Sequence, residues 1–218
     1  MDNAIVLLSG GLDSATSLFW AKKNGFRPFC LIFDYGQRHK KEIDNARAIA
    51  KKAKCGYEIV KFNLASDTTS LVNKKLKLPK KVMPDEIPST YAPARNIIFL
   101  SLGVSFAETK KAQFIVIGTN QLDYSNYPDC RDEFIRAFQK AINLGTKSGT
   151  QAKTIKILTP LQNKNKAQII KLAVKLKVPL ELTWSCYAGN TKPCNICPSC
   201  IIRAKGFKEA GVADPILR

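Results

Sequence analysis

The feature that most restricts the fold of this chain is a repeated switch between strand-like and helix-like spacing. Strand-like runs stand at residues 4–8, 28–33, 57–63, 113–118 and 155–158, with helical patterns between them. The first run, AIVLL, is apolar at every position. A strand needs that character when both of its faces are covered, and such strands belong to parallel sheets. Helical patterns cover residues 13–23, 38–53, 95–110, 132–143 and 166–177. Gly25, Gly56 and Gly145 stand where three of these should close, after lysine-rich last turns. The alternation predicts an α/β fold with a doubly wound, mainly parallel sheet. Right-handed crossovers then place ligands beyond the carboxyl ends of the strands. One domain over residues 1–218 is expected, including a small C-terminal appendage at 184–203. Three long connections break the regularity, at 64–94, at 119–130 and from 179 onward. The first holds Pro79, Pro84, Pro88 and Pro93, and reads as a lid or binding loop or else as a disordered insert.

The first strand runs into Leu8, Ser9, Gly10, Gly11 and Leu12, and a helix begins near Asp13. Paired glycines allow positive φ and close approach to a ligand, and the helix start aims unpaired N–H groups and a positive dipole end at the same place. Phosphate suits that geometry. The stretch lacks the Gly-Lys-Ser/Thr end of a Walker A loop and the G-x-G-x-x-G of a dinucleotide fold. Asp13 has two readings. It caps the helix, or it holds Mg²⁺ so that carboxylate and phosphate meet across a cation.

The protein carries 35 Lys and Arg against 17 Asp and Glu, a net charge of +18. Such a balance raises nucleic acid or an acidic membrane as a partner. Twenty-seven of those cations are lysines, spread in pairs such as Lys22-Lys23 and Lys110-Lys111. Arginine, the better bidentate phosphate reader, is scarce, so a solvated lysine surface competes with a nucleic-acid face. Nothing in the N-terminal stretch reads as a secretory signal, and no run has the length of a membrane span, so a cytoplasmic location is expected. His39 is the single histidine. That argues against Ser-His-Asp and zinc-histidine hydrolases, and leaves His39 itself as either a reactive imidazole or a plain helix-start residue.

Cys186, Cys194, Cys197 and Cys200 stand at spacings C-x₇-C-x₂-C-x₂-C. Overlapping C-x-x-C units bring three sulfurs to one point and Cys186 supplies a fourth, a set suited to one structural Zn²⁺ in tetrahedral coordination. An iron–sulfur cluster is the rival, although the ferredoxin run has its last cysteine downstream rather than upstream. Cys30 and Cys55 read as small buried hydrophobes.

The segment SGGLDS, Ser9 to Ser14, resembles the signature of the PP-loop ATP pyrophosphatases. DYGQRHKKEI (34–43), YAPARN (91–96), GTNQLDYSNYPDCR (118–131), TPLQNKNKA (159–167) and WSCYAG with the cysteine cluster resemble, in order, the 7-cyano-7-deazaguanine synthase family. The resemblance implies an ATP-dependent ligase that converts 7-carboxy-7-deazaguanine and ammonia to 7-cyano-7-deazaguanine, a queuosine precursor, through adenylated intermediates. It implies that the loop from Leu8 to Leu18, including Ala15, Thr16 and Ser17, holds nucleotide. Ser9, Gly10, Gly11 and Ser14 would contact pyrophosphate and Asp13 the Mg²⁺. Arg95 and Lys166 would neutralise the leaving group, with a surface cation as the other reading of each. Tyr91, Asn96, Asp123, Tyr124, Asp129 and Arg131 would meet the deazaguanine, or else form a polar turn. A homodimer follows by family analogy, with no requirement for nucleic acid or membrane. Ala92, Asn126, Asn195 and Pro198 depart from the family pattern. Two other classes stay open: a PP-loop tRNA-modifying enzyme, and a non-catalytic basic regulator that uses the cysteine knuckle to bind nucleic acid.

Overall fold

The computed structural model describes residues 1–64, 67–81, 87–120, 127–189 and 191–217. Its strands are β1 (Asn3–Leu7), β2 (Arg27–Asp34), β3 (Gly56–Lys61), β4 (Phe114–Val116) and β5 (Lys156–Leu158). They form one sheet in the order β3-β2-β1-β4-β5, with every neighbouring pair parallel. The helices are α1 (Leu12–Lys23), α2 (Lys41–Lys52), α3 (Arg95–Thr109), α4 (Asp132–Gly145), the single turn α5 (Lys147–Thr150), α6 (Lys166–Lys175) and α7 (Pro198–Ala210).

The unbroken apolar strands are sandwiched as their sequence requires. Ala4 and Val6 of β1 pack with Leu18 of α1, Ile49 of α2, Ile169 of α6 and Phe207 of α7. Ile5 and Leu7 point the other way, to Leu100 and Val104 of α3 and Ile135 and Ile142 of α4. Each fully buried Leu or Ile contributes about 1.5–3 kcal/mol relative to exposure. Strand order advances outward from β1 to β3, then resumes on the other side with β4. The reversal therefore falls between β1 and β4, where the loops leaving their carboxyl ends part and open a crevice.

Three local features differ from the sequence expectation. Helix α2 starts at Lys41 rather than at residue 38, because Arg38 is engaged with the long connection after β3. The Arg38 N–H donates to Leu71 O at 2.8 Å, and its Nη2 donates to the carbonyls of Asn73 and Leu76 at 3.0 and 2.7 Å. Helix α2 ends through Lys54, which takes φ +53°, whereas Gly56 opens β3 against the Phe29 ring. The cysteine segment continues into helix α7, whose start and stop signals, Pro198 at its first turn and Gly211 at φ +71°, are present in the sequence.

Helix α7 carries the main charged anchor of the C-terminal region. Arg203 Nε and Nη2 donate to both Asp214 carboxylate oxygens at 2.6 and 2.9 Å, and Nη1 donates to Thr183 Oγ1 at 2.9 Å; both charged side chains are 4% exposed. Removing one partner strands the other charge in the interior. We expect Arg203→Ala to lower folding stability by about 3–5 kcal/mol in denaturant titration, and the paired change Arg203→Met with Asp214→Leu to cost clearly less.

Candidate active site

The crevice between β1 and β4 deepens into a cavity of about 340 Å³. Its floor is the turn from β1 into α1. Gly10 sits at φ +82°, and a Cβ there would lie 2.2 Å from Glu42 O and 2.9 Å from Ala46 N. Only glycine lets α2 press its backbone onto this turn. Two further supports hold it: the Trp184 N–H donates to Gly10 O at 2.9 Å, and Gly118, beyond β4, comes so close that a Cβ would stand 3.0 Å from Asp13 O and Ser14 N. Inside the turn, Ser14 Oγ accepts from Ser9 N at 3.1 Å and donates to Gly11 O at 3.1 Å, while Ser9 Oγ lies 3.0 Å from Ser14 Oγ. The turn is thus rigid before any ligand arrives, and the first-turn amides of α1 face the cavity without helical acceptors.

Asp13 is not the helix cap. The cap position is Gly11, and Asp13 stands in the first turn of α1. Its carboxylate accepts from Lys166 Nζ at 2.9 and 2.8 Å and from Asn120 Nδ2 at 3.2 Å. Lys166 is the first residue of α6, fixed there by a reciprocal capping box: Asn165 Oδ1 accepts from Gln168 N, and Gln168 Oε1 accepts from Asn165 N, both at 2.9 Å. Its stem rests on α7, where a Cβ at Gly206 would fall 2.4 Å from Lys166 Cγ and 2.8 Å from its Cβ.

Arg95 opens α3 on the same cavity. Its predecessor Ala94 takes φ +56°, a left-handed conformation that costs a non-glycine residue about 1–3 kcal/mol. The turn is held by Tyr91, whose hydroxyl accepts from Ala94 N at 3.3 Å, and by Asp129, whose Oδ2 accepts from Asn96 N at 3.0 Å. Burial works against the Arg95 charge, but Tyr35, Tyr127, Cys130 and Asp129 around it carry its pKa further above the usual arginine value.

The residues expected from the sequence divide into four groups, with Gly10 beneath the turn rather than on the cavity surface. Leu8, Ser9, Gly11, Leu12, Asp13, Ser14, Arg95, Asn96 and Lys166 line the cavity together. Ala15, Thr16, Ser17 and Leu18 are buried in α1 as core, with Thr16 Oγ1 donating to Leu12 O at 2.8 Å. Tyr91, Asp129 and Arg131 do not line the cavity: the first two hold the start of α3, and Arg131 is exposed at the start of α4. Asp123 and Tyr124 lie outside the described residues, as does Asn126.

The structure adds Glu42, which the sequence reading passed over, on the cavity wall beside the glycine turn. Burial pushes its carboxyl up to about 7, against the pull of the Arg95 guanidinium and with a smaller push from the Cys186 thiolate. It lies in the segment DYGQRHKKEI, where nothing singles out the glutamate, since its setting is made by parts of the chain far from α2. His39 packs its ring over Gly189 and shares a 3.1 Å hydrogen bond between Nε2 and Cys186 O.

Behind the cavity, the sulfurs of Cys186, Cys194, Cys197 and Cys200 all lie within 4.8 Å of one another. A single tetrahedral ion with metal–sulfur bonds of about 2.3 Å spaces its sulfurs roughly 3.8 Å apart, so the set fits one metal ion. Backbone N–H groups of Ala188 and Cys194 approach Cys186 Sγ at 3.4 and 3.3 Å, as suits a thiolate. Asn195, within the knuckle, takes φ +60°, a conformation asparagine tolerates.

Comparison with known proteins agrees with this geometry. The fold is shared with NMN synthetase from Francisella tularensis, at TM-score 0.51 and 14% identity over 97% of this chain and 87% of that one. It is also shared with the U34-tRNA thiolase NcsA from Methanococcus maripaludis, solved with its [4Fe-4S] cluster, at TM-score 0.50 and 19% identity over 95% and 64%. A 7-cyano-7-deazaguanine synthase of Acetivibrio thermocellus is 52% identical over 99% of this chain and 97% of its own length. One of Thermoplasma volcanium is 49% identical over 98% and 89%. The family model of queuosine biosynthesis protein QueC matches residues 3–211, and with it the glycine turn, the lysine that meets Asp13 and the four cysteines all fall inside one family: the chain belongs to the queuosine biosynthesis protein QueC family.

Proposed function

We propose that the protein is an ATP-dependent ligase that joins ammonia to 7-carboxy-7-deazaguanine and carries the product on to 7-cyano-7-deazaguanine. The observation that carries this reading is the rigid glycine turn, with Asp13, Lys166 and Arg95 gathered on one cavity, in a chain of this family. Of the three classes left open by the sequence, the family match favours the synthase.

A carboxylate oxygen is a poor leaving group and adenylate a good one. In this reading the substrate carboxylate attacks the α-phosphorus of ATP while the turn amides and Ser9, Ser14 and Lys166 grip the departing pyrophosphate. Arg95 and Lys166 meet charge that grows as the bond breaks, which is where fixed cations contribute most. Asp13 and its neighbours would hold Mg²⁺, which supplies charge neutralisation between the phosphates. In the structure Lys166 occupies that carboxylate, so binding of Mg-ATP would redirect its Nζ from Asp13 toward phosphate. Asn96, Asp123, Tyr124 and Arg131 would meet the purine-like ring, with Tyr91 and Asp129 holding the start of α3 from behind.

Zinc suits the four thiols, a closed set with no open position for chemistry. It would fasten the segment that leads into α7, and through Gly206 the backing of Lys166. We further propose a single synthase domain over residues 1–218, acting in the cytoplasm as a homodimer without nucleic acid. Among the described residues no helix is long and apolar enough to cross a membrane.

The direct test is incubation with Mg-ATP, ammonia and 7-carboxy-7-deazaguanine, with mass spectrometry expected to detect the nitrile; failure to form it with metal-loaded protein would refute the reading. Lys166→Met should lower the rate by about 10²–10³-fold. Gly206→Ala should displace the Lys166 stem and lower the rate by about tenfold or more, because an error of 1 Å in a reacting group is costly. Stripping the metal with a chelator should expose four reactive thiols, lower the melting temperature and reduce nitrile formation, all three returning when zinc is restored.

A further inference from the structure

Ligation to ammonia makes a demand that the pyrophosphate grip does not meet. When ammonia attacks an acyl adenylate, its nitrogen becomes cationic and must shed a proton before adenylate departs, or the nitrogen itself leaves. Conversion of the amide to a nitrile sheds two more. A proton acceptor is therefore needed in the cavity.

We propose that Glu42 is the general base that receives the nitrogen-bound protons at both stages, an assignment that rests on the synthase reading. Asp13 and Glu42 are the carboxylates that line the cavity among the described residues. Asp13 is engaged by Lys166 and Asn120. Glu42 makes no ion pair within 4.0 Å among the described residues. The first turn of α2, which carries it, presses its backbone on Gly10, and Glu42 lines the same cavity as Ser9, Gly11 and Ser14 of the glycine turn. The imidazole of His39 is a poor alternative: its Nε2 is engaged with Cys186 O, and its Nδ1 is buried from solvent without a partner.

The groups around Glu42 suit this task. Arg95 faces it from α3, Tyr35 from the end of β2, and Tyr187 and the Cys186 thiol from the cysteine segment. On its own element the neighbouring cations turn elsewhere: Lys41 Nζ lies 3.5 Å from the Trp184 ring centroid and Lys40 pairs with Asp34 at 2.6 Å. With burial as the leading cause, the carboxyl titrates at about 7, high enough to accept a proton and low enough to return it to water.

In the first stage a C–N bond forms, the acyl C–O bond breaks, AMP leaves with the electron pair, and one nitrogen proton passes to Glu42. In the second, the amide oxygen takes the adenylyl group of another ATP with release of pyrophosphate. The nitrogen then loses two protons in turn to Glu42, which releases the first to solvent before taking the second. C≡N forms as the C–O bond to AMP breaks.

The test separates activation from ligation. In Glu42→Gln, exchange of labelled pyrophosphate into ATP that depends on 7-carboxy-7-deazaguanine, without ammonia, should persist, while amide formation falls by about 10²–10⁴-fold. At constant free ammonia, single-turnover amide formation by the unmodified protein should rise with pH through about 7 and then level, because the ionised carboxyl is the active form. In Glu42→Gln that rise should vanish, and Glu42→Asp should recover part of both the rate and the rise. Hydroxylamine, which yields its proton far more readily, should still trap the acyl adenylate in Glu42→Gln. Amide formation at the original rate in Glu42→Gln, or loss of exchange in step with amide formation, would overturn the assignment. Absence of acid-dependent exchange in the unmodified protein would instead remove the synthase reading, and this proposal with it.

Discussion

A carboxylate and an ammonium held together by three helices organise this molecule. Asp13 projects from the first turn of α1, Lys166 opens α6, and α7 presses from behind through Gly206. Each partner has an independent reason for its place: the glycine turn positions one, the capping box the other. With neither of them more than a quarter exposed, the attraction is less screened than at a surface, and both charges stay oriented toward the mouth of the sheet.

Some of this was legible in the sequence, for identifiable reasons. The unbroken apolar character of β1 and β2 is a local consequence of being covered on both faces, so the parallel sheet could be read directly. The glycine turn was readable because only glycine permits φ +82° with a helix backbone pressed against it. The four cysteines were readable because a metal demands ligands at short spacing, whatever the rest of the fold does.

What escaped depended on contacts remote along the chain. The meeting of Asp13 with Lys166 spans 153 residues, and the resemblance alone marked both as functional without joining them. Glu42 looks like an ordinary first-turn acid on an amphipathic helix until α3 and the cysteine segment close over it. Asp129 shows the converse: a carboxylate in a motif expected to touch substrate is tied to the backbone of Asn96 and sets the helix that presents Arg95. Helix α7 went unread for a different reason. The thiol spacing accounts for its first turn so fully that Pro198 and Gly211 do not stand out as the helix punctuation they are.

The order of these parts along the chain bears on when the protein becomes competent during its synthesis. The glycine turn leaves the ribosome first and could fold with β1 and β2, yet it stays without its lysine until residue 166 has emerged, and that lysine lacks its backing until Gly206 follows. The Arg203–Asp214 lock closes last of all. A nascent or truncated chain thus carries the glycine turn, and even Arg95, before Asp13 has met its lysine and before the final helix has docked behind that lysine.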